Sequence, residues 1–317
     1  MMTVTRDLAH NLRRVTEDAA LAAYEWVGRG KKDHGDGAAT EAMRRALASI
    51  SLSGIVVIGE GEKDEAPHLY QGERIGEVAA EPEWDIAVDP VEGTSFLADG
   101  LGGSMAVIAL APRGTMLNPG PAFYMEKLVV GPSAKGKVDP SWSPEEIVRA
   151  VADAARKPVD EVTVFVLDKP RHAELVENLR RCGCRVTLQP AGDVAGAMLA
   201  AMEDSPVDIL MGTGGTPEGI LVAGAVKALG GEMFGRLDPQ RADERRAVRE
   251  AGLSVERWYR VDELTTSSET LFCATGITPG QLCGGVVRGV GRDQLETLII
   301  SGMSRERQLL STWRPRS

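Results

Sequence analysis

A chain of 317 residues, 43% hydrophobic and 26% charged, has the composition of an ordinary soluble globular protein with room for one large domain or two smaller ones. A net charge of −10, 4% aromatic residues and no basic run exclude a general nucleic-acid binder, and no apolar stretch reaches the roughly 20 residues of a membrane span. Four cysteines are too few for a disulfide framework, and the N-terminal stretch lacks the charged-then-apolar order of a signal peptide, so a cytoplasmic protein with reduced thiols is expected.

Leu8, Leu12, Val15, Ala19, Ala22 and Trp26 recur by fours and threes, which defines one face of a long helix ended by Gly28-Arg29-Gly30. A polar loop precedes a second helix over about 38–48. Asp36 stands just before that helix, where an Asp commonly caps free backbone N–H groups, so a capping role and a functional role are equally open. Gly54-Ile55-Val56-Val57-Ile58 reads as a strand that delivers Glu60-Gly61-Glu62-Lys63-Asp64-Glu65 where its apolar run ends. Residues 59–73 are polar and break regular structure. Strands around 85–88, 104–111 and 125–130 follow, which gives the first half a mixed or mostly antiparallel sheet covered by helices.

The stretch DIAVDPVEGTSF, residues 85–96, holds Asp85, Asp89 and Glu92 around one proline. The apolar run Ile86-Ala87-Val88 predicts a strand that stops at Asp89-Pro90, and Gly93 permits a turn on which Asp89, Glu92 and Thr94 could converge. Converging carboxylates need a cation. Oxygen donors without histidine or cysteine suit a hard ion such as Mg²⁺ or Mn²⁺ and not Zn²⁺. If the strands ending at Glu60 and Asp89 are neighbours, their acids would form one pocket for divalent ions; taken alone, each cluster also reads as a solvated acidic loop.

From Ser143 the pattern becomes helix (144–156), strand (161–167), helix (172–181), strand (184–188), helix (193–203), strand (207–211) and helix (217–229), the alternation of an α/β layer with parallel strands. A charged helix near 241–251 and strands around 271–276, 284–290 and 295–300 complete the chain. The turn formers between Gly131 and Ser143 suggest a division into residues 1–135 and 136–317. In the second half, Gly212-Thr213-Gly214-Gly215-Thr216-Pro217-Glu218 joins a strand to a helix, with Thr216 able to cap and glycines that let backbone amides approach an anion. Asp168-Lys169-Pro170-Arg171-His172 also follows a strand, and Lys169 and Arg171 could grip a phosphate, arginine through its fork. His172 has no second histidine at ligand spacing and reads as a helix-start residue. Nothing around Cys182, Cys184, Cys273 or Cys283 suggests a lowered thiol pKa.

GRGKKDHGDGAA, VVIGEGEKDEAPHLY, DIAVDPVEGT, FYMEKLVVGP, DKPRH and GTGGTPEGILVAGAVKALGGEMFGRL together resemble, in order, the class II fructose-1,6-bisphosphatase family. The D-P-x-[DE]-G-T element is shared with the wider lithium-sensitive phosphatases, inositol monophosphatases among them. The resemblance implies the layered αβαβα sugar-phosphatase fold, with a mixed sheet in a metal-binding first half and a parallel-type α/β layer in a sugar-phosphate-binding second half. It implies hydrolysis of the 1-phosphate of fructose 1,6-bisphosphate with Mg²⁺ or Mn²⁺, in gluconeogenesis or Calvin-type sugar metabolism, by a homo-oligomer, dimer or tetramer. By the same resemblance, metal positions fall on Asp36, Glu60, Asp89, Glu92 and Glu218. Substrate positions fall on Glu92, Gly93, Thr94, Tyr124, Lys169, Pro170, Arg171, Ala191, Gly192, Asp193 and Gly215, and Thr94, Asp64 and Lys32 are implicated in activity. Ala191 stands where family members often carry an acid, which bears on a sugar hydroxyl contact. Sedoheptulose 1,7-bisphosphate, alone or beside the fructose ester, and an inositol phosphate are the alternative substrates; a noncatalytic sugar-phosphate-binding regulator would be expected to lack Thr94 or one of the acids, and none is missing.

Overall fold

In the computed structural model of the protein, residues 6–60, 68–76 and 83–316 are described, and the chain forms two compact units, Met1–Met116 with Ser267–Ser317, and Leu117–Thr266. The first unit opens with α1 (Arg6–Tyr24), whose apolar face buries Leu12, Val15, Ala19 and Ala23 completely. The second helix, α2 (Lys32–Ala48), starts at Lys32 and not near residue 38, so Asp36 lies inside it; Lys31 is the cap position, without a side-chain cap bond. The early start escapes hydrophobic periodicity because Lys32, Asp33 and His34 are exposed and the buried position of that turn is Gly35. A side chain there is excluded, since a Cβ would come within 2.4 Å of Leu97 Cδ2.

Four strands and a short helix follow: β1 (Gly54–Ile58), β2 (Arg74–Ile75), β3 (Trp84–Glu92), α3 (Thr94–Asp99) and β4 (Met105–Pro112). β1 lies parallel to β3, and β4 runs antiparallel to β3. The strand predicted to stop at Asp89-Pro90 instead continues to Glu92, and its register against β4 shifts between Asp89 and Glu92. Proline cannot donate to a regular ladder, but a bulge releases one residue from pairing, so Pro90 is tolerated where the pattern alone suggests an end.

The chain then builds the second unit: β5 (Tyr124–Val130), α4 (Pro144–Ala155), β6 (Thr163–Leu167), α5 (Ala173–Cys182), β7 (Arg185–Gln189), α6 (Asp193–Ala201), β8 (Ile209–Gly215), α7 (Thr216–Ala228), β9 (Glu232–Leu237), α8 (Ala242–Glu250), β10 (Trp258–Arg260) and α9 (Val261–Leu264). Its sheet has the order β10-β9-β5-β8-β6-β7. β6, β7 and β8 are parallel, as the alternation predicts, whereas β5, β9 and β10 pair antiparallel and make the sheet mixed. Val164, Val166, Leu128, Ile209 and Phe234 form the core on one face of this sheet with Val148 and Val151 of α4 and Leu179 of α5. The turn-rich stretch from Gly131 to Ser143 lies inside this unit and leads into α4, where Ser143 and Glu146 form a reciprocal capping box. Turn formers mark the end of a strand without telling whether the chain leaves its unit.

At Ser267 the chain returns to the first unit and adds β11 (Leu271–Gly276), β12 (Val287–Arg288), β13 (Arg292–Ser301) and β14 (Glu306–Pro315). The sheet there has the order β12-β13-β11-β4-β3-β1-β2, with β14 on the other side of β13. Ile86, Val88, Ile108, Leu110, Cys273 and Ile299 of this sheet share one core with Leu12, Val15, Met43 and Leu47 of α1 and α2.

Candidate active site

In the first unit the acids gather at one edge of the sheet. Because β1 and β3 are parallel neighbours, their C-terminal ends emerge together, Glu60 just after β1 and Asp89 and Glu92 within the last residues of β3. Oxygens of Asp89 and Glu92 lie within 4.8 Å of one another. Asp89 Oδ1 accepts the Val91 N–H at 3.1 Å, which fixes the bulge, and Glu92 is buried with its carbonyl accepting Ser104 Oγ–H at 3.2 Å. Gly93 takes a left-handed φ of +77° to turn the chain into α3; a Cβ there would meet Phe96 Cδ2 at 2.8 Å. Thr94 is the first residue of α3 and half-buried.

From α2, Asp36 hydrogen-bonds to the carboxyl of Glu60. Burial pushes the Asp36 pKa up, while the Glu60 bond and the nearby Lys32 charge pull the other way. Two carboxyls this close repel one another when both are ionised, and a cation beside them would relieve that repulsion. Lys32 itself is exposed. Asp64, with residues 61–65 as a whole, lies outside the described residues. Asp85 sits at the opposite end of β3 from Asp89 and Glu92. It is fully buried and accepts from Arg113 Nη1 at 2.5 Å, Thr115 N at 2.9 Å and Met116 N at 3.1 Å, a structural pin with no place among the metal acids.

In the second unit three strand-to-helix connections carry the candidate residues. Gly215 is the cap position of α7, so Thr216 is the first helical residue and does not cap. Among the described residues its Oγ1 is buried without a partner, as is Glu218 Oε2. Burial and the negative charge of Asp193 both push the Glu218 pKa up, and Lys127 pulls it down. A buried carboxylate oxygen without a donor is what a divalent ion would satisfy. Asp193 opens α6 after Gly192, whose φ is +93°, and is itself buried. Its carboxylate pairs with Lys127 Nζ, which also donates to the Gly215 carbonyl at 2.6 Å. The sequence reading passed over Lys127; the signal was a lysine inside the apolar strand Met125–Val130, where an interior charge requires a buried partner.

The DKPRH segment forms a short 3₁₀ turn before α5. His172 Nδ1–H donates to the Leu167 carbonyl at 2.7 Å and Nε2 accepts the Thr213 N–H at 2.8 Å, while burial lowers its pKa and keeps the ring neutral. With both ring nitrogens engaged, His172 staples this turn to β8. Arg171 lies 5.2 Å from the Tyr124 ring centroid, which joins two predicted substrate residues, but its fork is turned on a backbone carbonyl: Nε and Nη2 both donate to Thr213 O, at 3.1 and 2.7 Å. A cavity of about 290 Å³ beside them is lined by Arg171, His172, Thr213, Glu126, Arg236 and Trp258 among others. Lys169 and Ala191 are half-buried at the ends of their strands.

Residues 6–314 match the family described as bacterial fructose-1,6-bisphosphatase, glpX-encoded. The chain belongs to this class II fructose-1,6-bisphosphatase family. It is 44% identical over 313 residues to fructose-1,6-bisphosphatase 1 class 2 of Escherichia coli (strain K12), covering 95% of this chain and 93% of that one, and equally to fructose-1,6-bisphosphatase class 2 of Shigella flexneri. Among solved structures, inositol monophosphatase from Anabaena (Nostoc) sp. PCC 7120 aligns with a TM-score of 0.34 and 12% identity over 77% of this chain and 96% of that one, a likeness too distant to bear on the fold. As a member of the fructose-1,6-bisphosphatase family the protein is a phosphatase. Its all-oxygen donors, with Asp36 hydrogen-bonded to Glu60, fit a hard divalent cation.

Proposed function

We propose that this phosphatase hydrolyses the 1-phosphate of fructose 1,6-bisphosphate, with Mg²⁺ or Mn²⁺ held by Asp36, Glu60, Asp89, Glu92 and Glu218. The observation that carries the reading is the convergence of Glu60, Asp89 and Glu92 at the ends of two parallel neighbouring strands, inside a family of fructose-1,6-bisphosphatases. Phosphate-monoester hydrolysis is extremely slow unaided, so charge must be neutralised and water activated. Bound divalent ions supply both, by drawing charge from the phosphoryl oxygens and lowering the pKa of the attacking water.

The residues supply position. Thr94, at the start of α3 beside Gly93, orients the attacking water through its hydroxyl. Asp64 accepts its proton, and Lys32 places positive charge beside Asp36. Tyr124, Lys169 and Arg171 hold the phosphate that is not cleaved, with the Thr213 carbonyl fixing the guanidinium and Pro170 opening the turn that carries it. Asp193, Gly192 and Gly215 shape the sugar site. Ala191, which has no acid to offer a sugar hydroxyl, removes one contact that would enforce strict sugar identity, and sedoheptulose 1,7-bisphosphate is the alternative substrate. A homo-oligomer, dimer or tetramer, acting in the cytoplasm completes the reading; no described helix is long and apolar enough to cross a membrane.

Phosphate release should be measured from fructose 1,6-bisphosphate, sedoheptulose 1,7-bisphosphate and an inositol monophosphate, each with Mg²⁺ and with Mn²⁺. Turnover of at least one bisphosphate, abolished by EDTA and restored by added ion, is expected. Full activity after exhaustive dialysis against EDTA, or turnover of the monophosphate alone, would sink the proposal.

A further inference from the structure

Lys127 carries a consequence for the reaction itself. It lies on β5, between β8 and β9 in the sheet of the second unit, and is only 2% exposed. Burying an ammonium costs several kcal/mol, and one carboxylate partner commonly does no better than an apolar pair of the same size, so stability alone is a weak reason for the residue. A buried ion pair instead fixes direction. The two acceptors of Lys127 are the Asp193 carboxylate, which opens α6, and the Gly215 carbonyl, which precedes α7 and stands three positions before Glu218.

The neighbouring chain has been cleared for this side chain. A Cβ on Gly219 would stand 3.2 Å from Lys127 Cδ, and a Cβ on Gly214 would stand 3.0 Å from Lys127 Nζ and 2.1 Å from Asp193 Oδ2. A Cβ on Gly215 would come within 1.6 Å of Glu218 Oε2, so the backbone that carries the Lys127 acceptor also touches the Glu218 carboxylate. Moving the Gly215 peptide therefore moves Glu218.

We propose that Lys127 is a positioning residue of the phosphatase reaction: by tying the Asp193 carboxylate to the Gly215 carbonyl it locks the starts of α6 and α7 together and sets where Glu218 presents its oxygens. The inference rests on the reading above, in which Asp193 serves substrate and Glu218 a divalent ion. The full chain is used for the test, as wild type and as Lys127→Met, Lys127→Arg, Asp193→Asn, Glu218→Gln and the double variant Lys127→Met with Asp193→Asn. Each is assayed on fructose 1,6-bisphosphate at least 15 °C below its own Tm, and melted with and without Mn²⁺, at temperatures and shifts read on the scale of roughly a few degrees per kcal/mol.

Lys127→Met should lower kcat/KM on the order of 100-fold, the effect of misplacing a site by about 1 Å, and should shrink the Tm gain from Mn²⁺. Arginine should return part of both, because its fork can still reach two acceptors. The loss should persist when Lys127→Met is added to Asp193→Asn, since the Gly215 arm is cut in either background. Wild-type kinetics and Mn²⁺ response in a Lys127→Met protein that is merely less stable would overturn the inference. So would a double variant no worse than Asp193→Asn, a comparison that decides the matter even if the single variant does not fold, because neither partner is then left as a lone buried charge. Wild-type hydrolysis by both Asp193→Asn and Glu218→Gln would instead overturn the site reading, and this inference with it.

Discussion

Consider Asp85→Asn, a change that removes one charge and almost no volume from a fully buried side chain. Oδ2 accepts two backbone amides, from Thr115 and Met116, and the oxygen of asparagine can keep both. Oδ1 accepts Arg113 Nη1, and there the new NH₂ group would face a guanidinium, donor against donor. One charge-assisted hydrogen bond, about 1.5–3 kcal/mol, is lost, and a buried donor worth about 1–3 kcal/mol is left unsatisfied. Arg113 is 44% exposed and can turn to water, which places the first term at its low end and the total at about 2.5–4.5 kcal/mol. At about 2–4 °C per kcal/mol for a unit of this size, Tm should fall by roughly 5–18 °C. Melting followed by circular dichroism, with phosphate release assayed well below the transition, separates stability from catalysis: kcat should stay near wild type, because Asp85 lies at the far end of β3 from Asp89 and Glu92. A Tm within about 2 °C of wild type, or a large loss of kcat in a stable variant, would refute the assignment of Asp85 as a structural pin.

Thr94→Val should lower kcat far more than it raises KM, since alignment of water acts in the transition state, and Thr94→Ser should keep part of the activity; steady-state kinetics on fructose 1,6-bisphosphate checks both. Arg171→Ala should raise KM for the bisphosphate by a factor matching about 1.5–3 kcal/mol with a smaller change in kcat, and an unchanged KM would remove Arg171 as an anchor. Burial holds the thiols of Cys184, Cys273 and Cys283 up to about 11, 12 and 12, above the ordinary 9.0. Between those values the unfolded chain releases protons that the folded one keeps, so stability is intact below pH 9 and declines above it, by about 1.4 kcal/mol per pH unit for each thiol. Urea titrations from pH 8 to 10 should show a shallower decline in Cys273→Ala.

What the sequence makes legible are the elements with a buried face of their own. β1 has the predicted bounds, Gly54–Ile58, because its two ends are marked by loss of apolar character. The alternation from α4 to α7 is readable because β6 and β8 are apolar runs and α4 and α5 each have one buried stripe. The start of α2 is hidden because Gly35 fills its buried position, and β14 is hidden because an edge strand with Arg307, Gln308 and Arg314 shows little apolar alternation. Glu60, Asp89 and Glu92 stand out as like charges at strand ends, whereas Asp36 and Glu218 join them only through the family resemblance. Asp85 is already set apart from Asp89 by the apolar run between them, but its role as a pin takes the presence of Arg113, which spacing does not reveal. Lys127 is visible in the sequence as a charge inside an apolar strand, but its partners are not, since they depend on β5 running beside β8 with Lys127 opposite Gly212 and Tyr124 opposite Gly215.

The return of the chain to its first unit at Ser267 has a consequence for synthesis. β4 is already made when the ribosome reaches residue 116, but the codons of its partner β11 lie far downstream in the message. The second unit, a continuous segment from 117 to 266, can close as soon as it emerges. At about 5–20 residues per second the interval between residues 116 and 276 is on the order of 8–30 s, during which the open edge of β4 is exposed to water. That edge is Met105–Pro112, apolar along nearly its whole length, so the nascent chain presents an adhesive strand until its last fifty or so residues arrive. Aggregation on overexpression should therefore respond to translation speed and to chaperone supply more than to the thermodynamic stability of the finished enzyme.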